Sequence, residues 1–531
     1  MSQQGAAASK MDSGASVNTK VAAPKESPQQ TRKGPRFWAI LVVLSLTGLL
    51  TALEATITST VLPVIVADLG GGDNYIWVAN AYFLTIATNM AMLISGRVIQ
   101  GLGASGLSVL VETVICDLVP LRERGNYMAM VFGMISLGTA LDPLFGGLIV
   151  GYSTWRWAFY LALLIGGPAL VLLVIFLHVN YDKSKSLATK LSSLDWLGNA
   201  VFIGASSSVL IALSWAGGEY PWSSYEVLVP LIVGMIALAG FVALEATRFV
   251  TNPMMPLHLF ANRITSAVFI LTFLHGLITM WAFYFIPVYF QGVLSATPYR
   301  SSIMFLPTIL ALVPATIIGG LLLTKFGRYK PILTVAFALV VIGFGLFSLL
   351  GENSSTGTWV GFQIIESVGA GLATPTLLPA LLASLTDKDT ALATGTWAFM
   401  RSFGVTWGVA IPGAIFSNRA AHLAGSGAIS SNATVAAEFM AGGAYQDATA
   451  YFLDSLSAET RAQVVKVQKS ALQRSWQVAI AFGATGFIAA ALLKEVPLRK
   501  ELDSEFGITE KDKPSKEVAE TTETDVLVAT T

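Results

Sequence analysis

Long apolar runs alternate with short polar breaks along almost the whole chain. A membrane-spanning helix needs about 20 mostly apolar residues. Such runs lie near 37–66, 91–116, 127–150, 157–177, 195–215, 227–246, 264–287, 301–324, 331–350, 359–384, 392–416 and 475–493, which predicts twelve crossings. The runs are too long for barrel strands, and backbone inside lipid must satisfy its own hydrogen bonds, so the predicted fold class is all-α, a polytopic transmembrane helix bundle. Residues 1–36 and 497–531 are polar and read as disordered tails. The expected organisation is an amino-terminal bundle over 37–190, two linker spans over 191–263 and a carboxy-terminal bundle over 264–496. The one long break between spans, 417–474, reads as an extracytosolic cap with some helix.

Lys and Arg in the short breaks set the orientation. Arg32, Lys33 and Arg36 precede the first span and place the amino terminus in the cytosol. Alternating from there, the inside breaks hold Arg122 and Arg124; Lys183, Lys185 and Lys190; Arg248 and Arg263; Lys325, Arg328 and Lys330; and Lys388. The short outside breaks hold only Arg156 and Arg300. Two N-x-[ST] sequons, at Asn353 and Asn432, fall on the outside and are candidate glycosylation sites.

The stretch AYFLTIATNMAMLISGRVIQG, residues 81–101, disturbs this regularity, because no charged loop separates Tyr75 from Cys116. Two helices there would turn DLVPLRERG (117–125), and every later basic loop, to the outside. One crossing along 91–116 keeps the charge pattern. YIWVANAYFLTIAT (75–88) is too short to cross at about 1.5 Å per residue, and reads as part of a helix.

Composition agrees with a membrane protein: of 531 residues, 54% are hydrophobic and 12% charged. The formal net charge of +0 gives no basic bias toward nucleic acid, and the single cysteine, Cys116, excludes an internal disulfide and multi-thiolate metal sites. There is no Walker loop, no H-E-x-x-H and no paired-aspartate protease pattern, so neither ATP drive nor enzymatic chemistry is expected. GLGASG (101–106) lies within an apolar run and follows no strand, which suits close helix packing and not a dinucleotide site.

Several stretches together carry a family resemblance. LTALEATITSTVLPVI (50–65), GRVIQGLGASG (96–106), DLVPLRERG (117–125), GTALDPLFGG (138–147), GGLLLTKFGRYKP (319–331) and TGTWAFMRSFGVTWGVAIPGAIF (394–416) make the chain similar to the fungal fourteen-span branch of the major facilitator superfamily, the drug:proton antiporter type. In that branch the stretch like YIWVANAYFLT continues through a second helix, a G-x-L-x-D-R-x-G-R-R loop and a third helix. Here Thr85 runs almost directly into Ala87-Thr88-Asn89, and on the order of 40 residues are missing by span arithmetic. The resemblance implies proton-driven export of a toxin or other secondary metabolite across the plasma membrane, with a vacuolar location as the alternative. It implies no cofactor beyond the proton gradient, and partners limited to the lipid bilayer and a small-molecule substrate, the chain acting as a monomer. The missing loop, which latches the cytosolic side in the family, motivates a second reading, a non-transporting receptor or scaffold. Import of a nutrient or siderophore is a third.

Ionisable groups inside spans are costly and mark cavities or pairs. Glu54 stands where the family usually has Asp, and is a candidate for proton carriage or for a structural hydrogen bond. Arg97 occupies the family's arginine position and is a proton-coupling candidate, with Gln100 one turn on and able to share its network. Glu112 reads as an interfacial, solvated carboxylate. In GTALDPLFGG, Asp142 replaces the family's glycine before Pro143, either as a new polar site or as a tolerated exchange, while Gly138, Pro143, Gly146 and Gly147 keep the motif's packing logic. Glu366 and Arg401 lie in carboxy-terminal spans and could pair with each other or face substrate; Arg401 matches a family position associated with coupling or gating. His275 suits proton work or a structural hydrogen bond. Trp281, Tyr284, Tyr289 and Gln291 could face a bulky apolar ligand or form an interfacial belt. Lys325, Gly327 and Arg328 match the loop that holds the cytosolic side of the second half.

Overall fold

The structure is a computed structural model and describes residues 34–69, 90–154, 156–176, 195–216, 220–247, 253, 255–386, 389–445 and 447–498. For residues 54–69 and 90–100, and at scattered positions elsewhere, the backbone alone is described. The expected tails, the junction at 86–90 and the stretch 75–88 lie outside the described residues.

Among the described residues, twelve long helices coincide with the twelve apolar runs. They are α1 (Pro35–Leu69), α2 (Met90–Leu118), α3 (Leu121–Tyr152), α4 (Trp157–Phe176), α5 (Trp196–Trp215), α6 (Tyr225–Glu245), α7 (Arg263–Gly292), α8 (Pro298–Phe326), α9 (Lys330–Phe347), α10 (Thr356–Leu382), α11 (Thr390–Gly425) and, after two short helices, α14. The short ones are α12 (Ala433–Met440) and α13 (Ala450–Ser455), and α14 runs Ala458–Leu492. Among the described residues, nine of the twelve are long and apolar enough to cross a membrane, and α4 holds a shorter apolar stretch, Tyr160–Phe176. No β-strand occurs among the described residues.

The helices begin and end where local chemistry dictates. Asp195, Asn262, Thr297, Ser355, Asn432, Thr449 and Ser457 each accept a backbone N–H at a helix start. Gly327 ends α8 in the left-handed region, at φ 65°, where a side chain would be strained. Pro331 then opens α9, at a position whose N–H needs no partner.

Helices α1 to α4 pack together, with α3 against α1 as the main contact; α7 to α11 and α14 form a second group. The groups meet chiefly along α3 and α8, with α2 also touching α11. The α5–α6 pair leans on α11 through Phe202, whose ring lies 4.8 Å from Phe399 and 5.8 Å from Phe403. Otherwise these two helices present apolar side chains outward, including Ile203, Ile232, Val233 and Ile236.

Lipid tails are as apolar as leucine, so hydrophobicity cannot hold such helices together; close backbone approach does. A Cβ at Gly276 of α7 would stand 2.6 Å from the Arg401 carbonyl of α11, and Cβ atoms at Gly404 and Gly408 would collide with the Phe273 and Leu277 carbonyls. This seam fixes the height and rotation at which Arg401 enters the bundle.

The cap is more helical than its polar composition suggests. Helix α11 continues nine residues beyond Phe416, and α14 already begins at Ala458 instead of near 475. Val464, Val467, Gln468, Ala471 and Leu472 form the buried stripe of that polar first part. They hold α14 against α7 and α11 with α12, α13 and the turn Gly443–Tyr445 between.

Candidate functional site

Helices α2 and α11 meet at two levels. At one, Arg401 Nη2 lies 2.7 Å from Glu112 Oε1, with side-chain exposures of 25% and 4%. The guanidinium also stacks over the rings of Trp397 (4.9 Å) and Phe132 (5.4 Å), the latter from α3. Four residues after Glu112 on the same face of α2, Cys116 Sγ stands 4.0 Å from Thr394 Oγ1 of α11. A carboxylate from one helix group and a guanidinium from the other therefore neutralise each other inside the protein. Removing one partner of a buried pair costs about 3–5 kcal/mol, because the other charge is left without compensation.

Two expectations change here. Glu112 is not a solvated interfacial carboxylate: it is buried, about 9 Å from the end of α2 at 1.5 Å per residue, where Arg401 neutralises it. Arg401 pairs with Glu112 and not with Glu366, which is buried where α10 crosses Gly343 of α9 and accepts from the Ser367 hydroxyl at 3.3 Å. The second carboxylate oxygens of both acids, Glu112 Oε2 and Glu366 Oε1, are buried and have no hydrogen-bond partner.

The turn that follows α2 explains how Glu112 is held. Arg124 at the start of α3 is buried; its Nη2 donates to the Cys116 carbonyl (2.6 Å) and its Nε to the Val119 carbonyl (2.8 Å). The last carbonyls of a helix have no intrahelical partner, and a cation there also complements the helix dipole. Close by, Gly320 of α8 crosses α3 so tightly that a Cβ would lie 2.5 Å from the Gly125 carbonyl. Lys325 lies over the ring of Phe326 at 5.5 Å, and Arg328 is exposed. Tyr329, fully buried, donates to the Lys494 carbonyl and accepts from the Val496 N–H, tying the end of α14 to the α8–α9 turn.

The remaining candidates are scattered. His275 lies in α7 with Nε2 2.9 Å from the Ala370 carbonyl, so that nitrogen carries the proton, and the ring is within electrostatic reach of Arg401. Trp281 is fully buried and donates to Ser475 of α14 at 3.0 Å, which ties two helices together and lines no opening. Tyr289 is buried with its hydroxyl on the Gly351 carbonyl, Gln291 is half-buried, and Tyr284 is exposed. The four thus share neither a face nor a pocket. Gly138 sits where α3 crosses α1, and a Cβ would stand 2.6 Å from the Leu49 carbonyl. The side chains of Glu54, Arg97, Gln100, Asp142 and Pro143, and the surroundings of Gly146 and Gly147, lie outside the described residues. Asn353 is exposed beside α10, and Asn432 caps α12 through its Oδ1. Among the described residues no three His, Cys, Asp or Glu side chains gather as a metal site would require.

The Glu112–Arg401 pair was hidden because its halves lie in distant spans. The signal available was the high cost of an arginine within an apolar run, which demands a counter-charge from some other span.

The chain resembles known proteins along nearly its full length. It is 52% identical to the MFS-type transporter pydD of Acremonium sp, with 93% of this chain and 94% of that one covered. It is 46% identical to the MFS-type transporter gkaD of Penicillium citrinum, covering 94% and 92%. It is 40% identical to the efflux pump FUS6 of Gibberella moniliformis (strain M3125 / FGSC 7600), covering 93% and 94%. The alignment with pydD runs over 538 positions while using 93% of the 531 residues, so roughly 40 positions of that relative face none here. Residues 74–409 match the sequence pattern of the Major Facilitator Superfamily, and with these relatives the match shows that the chain is a multi-pass membrane protein belonging to that superfamily.

Proposed function

We propose that this protein is a proton-driven exporter of a small hydrophobic organic compound, a toxin or other secondary metabolite, in the plasma membrane with both termini cytosolic. The observation that carries the reading is a buried carboxylate paired with a half-buried guanidinium where the two helix groups meet, in a chain 40% identical to a protein named an efflux pump. Alternating access rocks two helix groups about a central site, and charges at their meeting surface are where protonation biases one arrangement over the other. Glu54 and Arg97 are coupling candidates by their place in the family's motifs, and Lys325, Gly327 and Arg328 hold the cytosolic turn of the second half.

Deleting the gene should move at least one hydrophobic metabolite from the culture medium into the cells, and a protonophore should do the same to the parent strain. Mass spectrometry of medium and cell extracts reads both. An unchanged distribution in the deletion strain, despite normal abundance of the protein in the parent's membrane, overturns export. The missing stretch would then favour the non-transporting scaffold. A metabolite displaced in the opposite direction would indicate import.

A further inference from the structure

The α2–α11 contact has the parts of a proton-operated lock. Its two rungs are the Glu112–Arg401 ion pair and the Cys116–Thr394 contact. Both lie toward the end of α2 next to the basic turn of Arg122 and Arg124, which the charge pattern places on the cytosolic side. The second crossing between the helix groups at that end is Gly125 against Gly320. The cytosolic ends of the two groups are therefore pressed together, and the ion pair is the charged element of the closure.

Glu112 uses one oxygen for Arg401 and leaves Oε2 buried and without a partner. That oxygen is where a proton can be added without displacing an existing bond. Arg401, once its counter-charge is gone, keeps the faces of Trp397 and Phe132, so the cation retains a resting place when the pair is broken. Few other charges bear on the pair. From α1 the described residues facing the end of α2 are apolar, namely Phe37, Ile40, Leu41 and Leu44. From α3 comes Arg124, whose Nε and Nη2 donate to the Val119 and Cys116 carbonyls and whose charge bears on Cys116 and Asp117. On α2 itself lie Cys116 and Asp117, and from α7 His275 stands within reach of Arg401. Arg401 is thus the one cation directed at the Glu112 carboxylate among the described residues.

We propose that Glu112 is a proton-carrying residue of the transport cycle: protonation at Oε2 releases Arg401 and unlocks the α2–α11 contact, and loss of the proton to the cytosol re-forms it. The proton adds to a carboxylate oxygen lone pair and leaves from the same atom, so no other bond is made or broken. The inference rests on the exporter reading for what the lock serves. The direction suits that reading: a proton arriving from outside opens the cytosolic side, where it is released and cargo can enter.

The structure supplies the test. Thr394→Cys places a second thiol beside Cys116, the chain's one native cysteine, so a disulfide reports closure of the contact in the full-length protein in membranes. Thiol oxidation slows in acid for its own reasons, so each rate is divided by that of the Thr394→Cys chain also carrying Glu112→Gln. At about pH 8 the ratio should be on the order of ten, and it should fall toward one by about pH 5 as Glu112 becomes neutral. A ratio that is constant with pH overturns the proposal, as does a ratio near one throughout. If Thr394→Cys fails to reach the membrane, the emission of Trp397, taken as wild type minus Trp397→Phe, should titrate with pH and lose that titration with Glu112→Gln. An emission difference flat with pH overturns the proposal equally. Neither readout needs the cargo, so a failed lock with normal export and a working lock without export are distinguishable.

Discussion

Two guanidinium groups near one end of the bundle, Arg124 buried and Arg401 half-buried, do different work. Arg124 donates to backbone carbonyls at the end of α2, while Arg401 meets a carboxylate and two aromatic faces. Arg124→Ala would strand two carbonyls near a buried turn, at about 1–3 kcal/mol each. The apparent melting temperature of the detergent-solubilised protein should drop by several degrees, and Arg124→Lys should recover only part, since an ammonium cannot reproduce the two-pronged geometry. A melting temperature equal to wild type would show that water satisfies those carbonyls. At this scale the sequence was legible wherever function is local. The turn at Gly327 could be read from its neighbours, because a left-handed residue is decided within a few positions; what Gly138 accommodates, the Leu49 carbonyl of α1, could not. The partner of Arg401 could not, because nothing in α11 distinguishes Glu366 from Glu112 until the helices are packed.

Hydropathy located the helices within a few residues wherever lipid demands apolar side chains, and it failed at the cap. The first part of α14, AETRAQVVKVQKSALQR, is too polar for a span yet helical, because it buries only one stripe against its neighbours. The cap also carries a titratable element. Asp447, in the turn before α13, has its carboxyl pushed up to about 6, first by burial and then by the charge of Glu438. A carboxyl raised in the folded state favours folding while protonated. Its contribution is full below the unfolded value near 4 and is lost as pH rises through about 6. Hydrogen exchange over residues 443–456, corrected for intrinsic rates, should therefore show better protection at about pH 5 than at about pH 7.5, and Asp447→Asn should make the two equal. Protection that increases with pH would reverse the assignment.

For the molecule as a whole, the order of apolar runs sufficed to expect a helix bundle, since lipid leaves the backbone few alternatives. How the helix groups meet was not legible, because glycine crossings such as Gly125 on Gly320 join residues far apart in the chain. The alternation of basic loops makes a global prediction: Asn353 and Asn432 lie on the same, outer side. A glycosidase should then increase the protein's gel mobility, and Asn432→Asp should remove one glycan while keeping the α12 cap, since aspartate caps as well as asparagine. Mobility unaffected by the enzyme in both proteins would count against that side for both sites.

The length of α11 and α14 has a practical consequence. At 1.5 Å per residue they are about 54 and 53 Å long, against a hydrocarbon thickness near 30 Å. They must project well clear of the lipid on the side away from the basic loops, braced by α12 and α13. Transporters built entirely within a micelle offer electron microscopy little to orient by. Here the protein supplies its own mast, a landmark to which an antibody fragment could be fixed clear of the lipid.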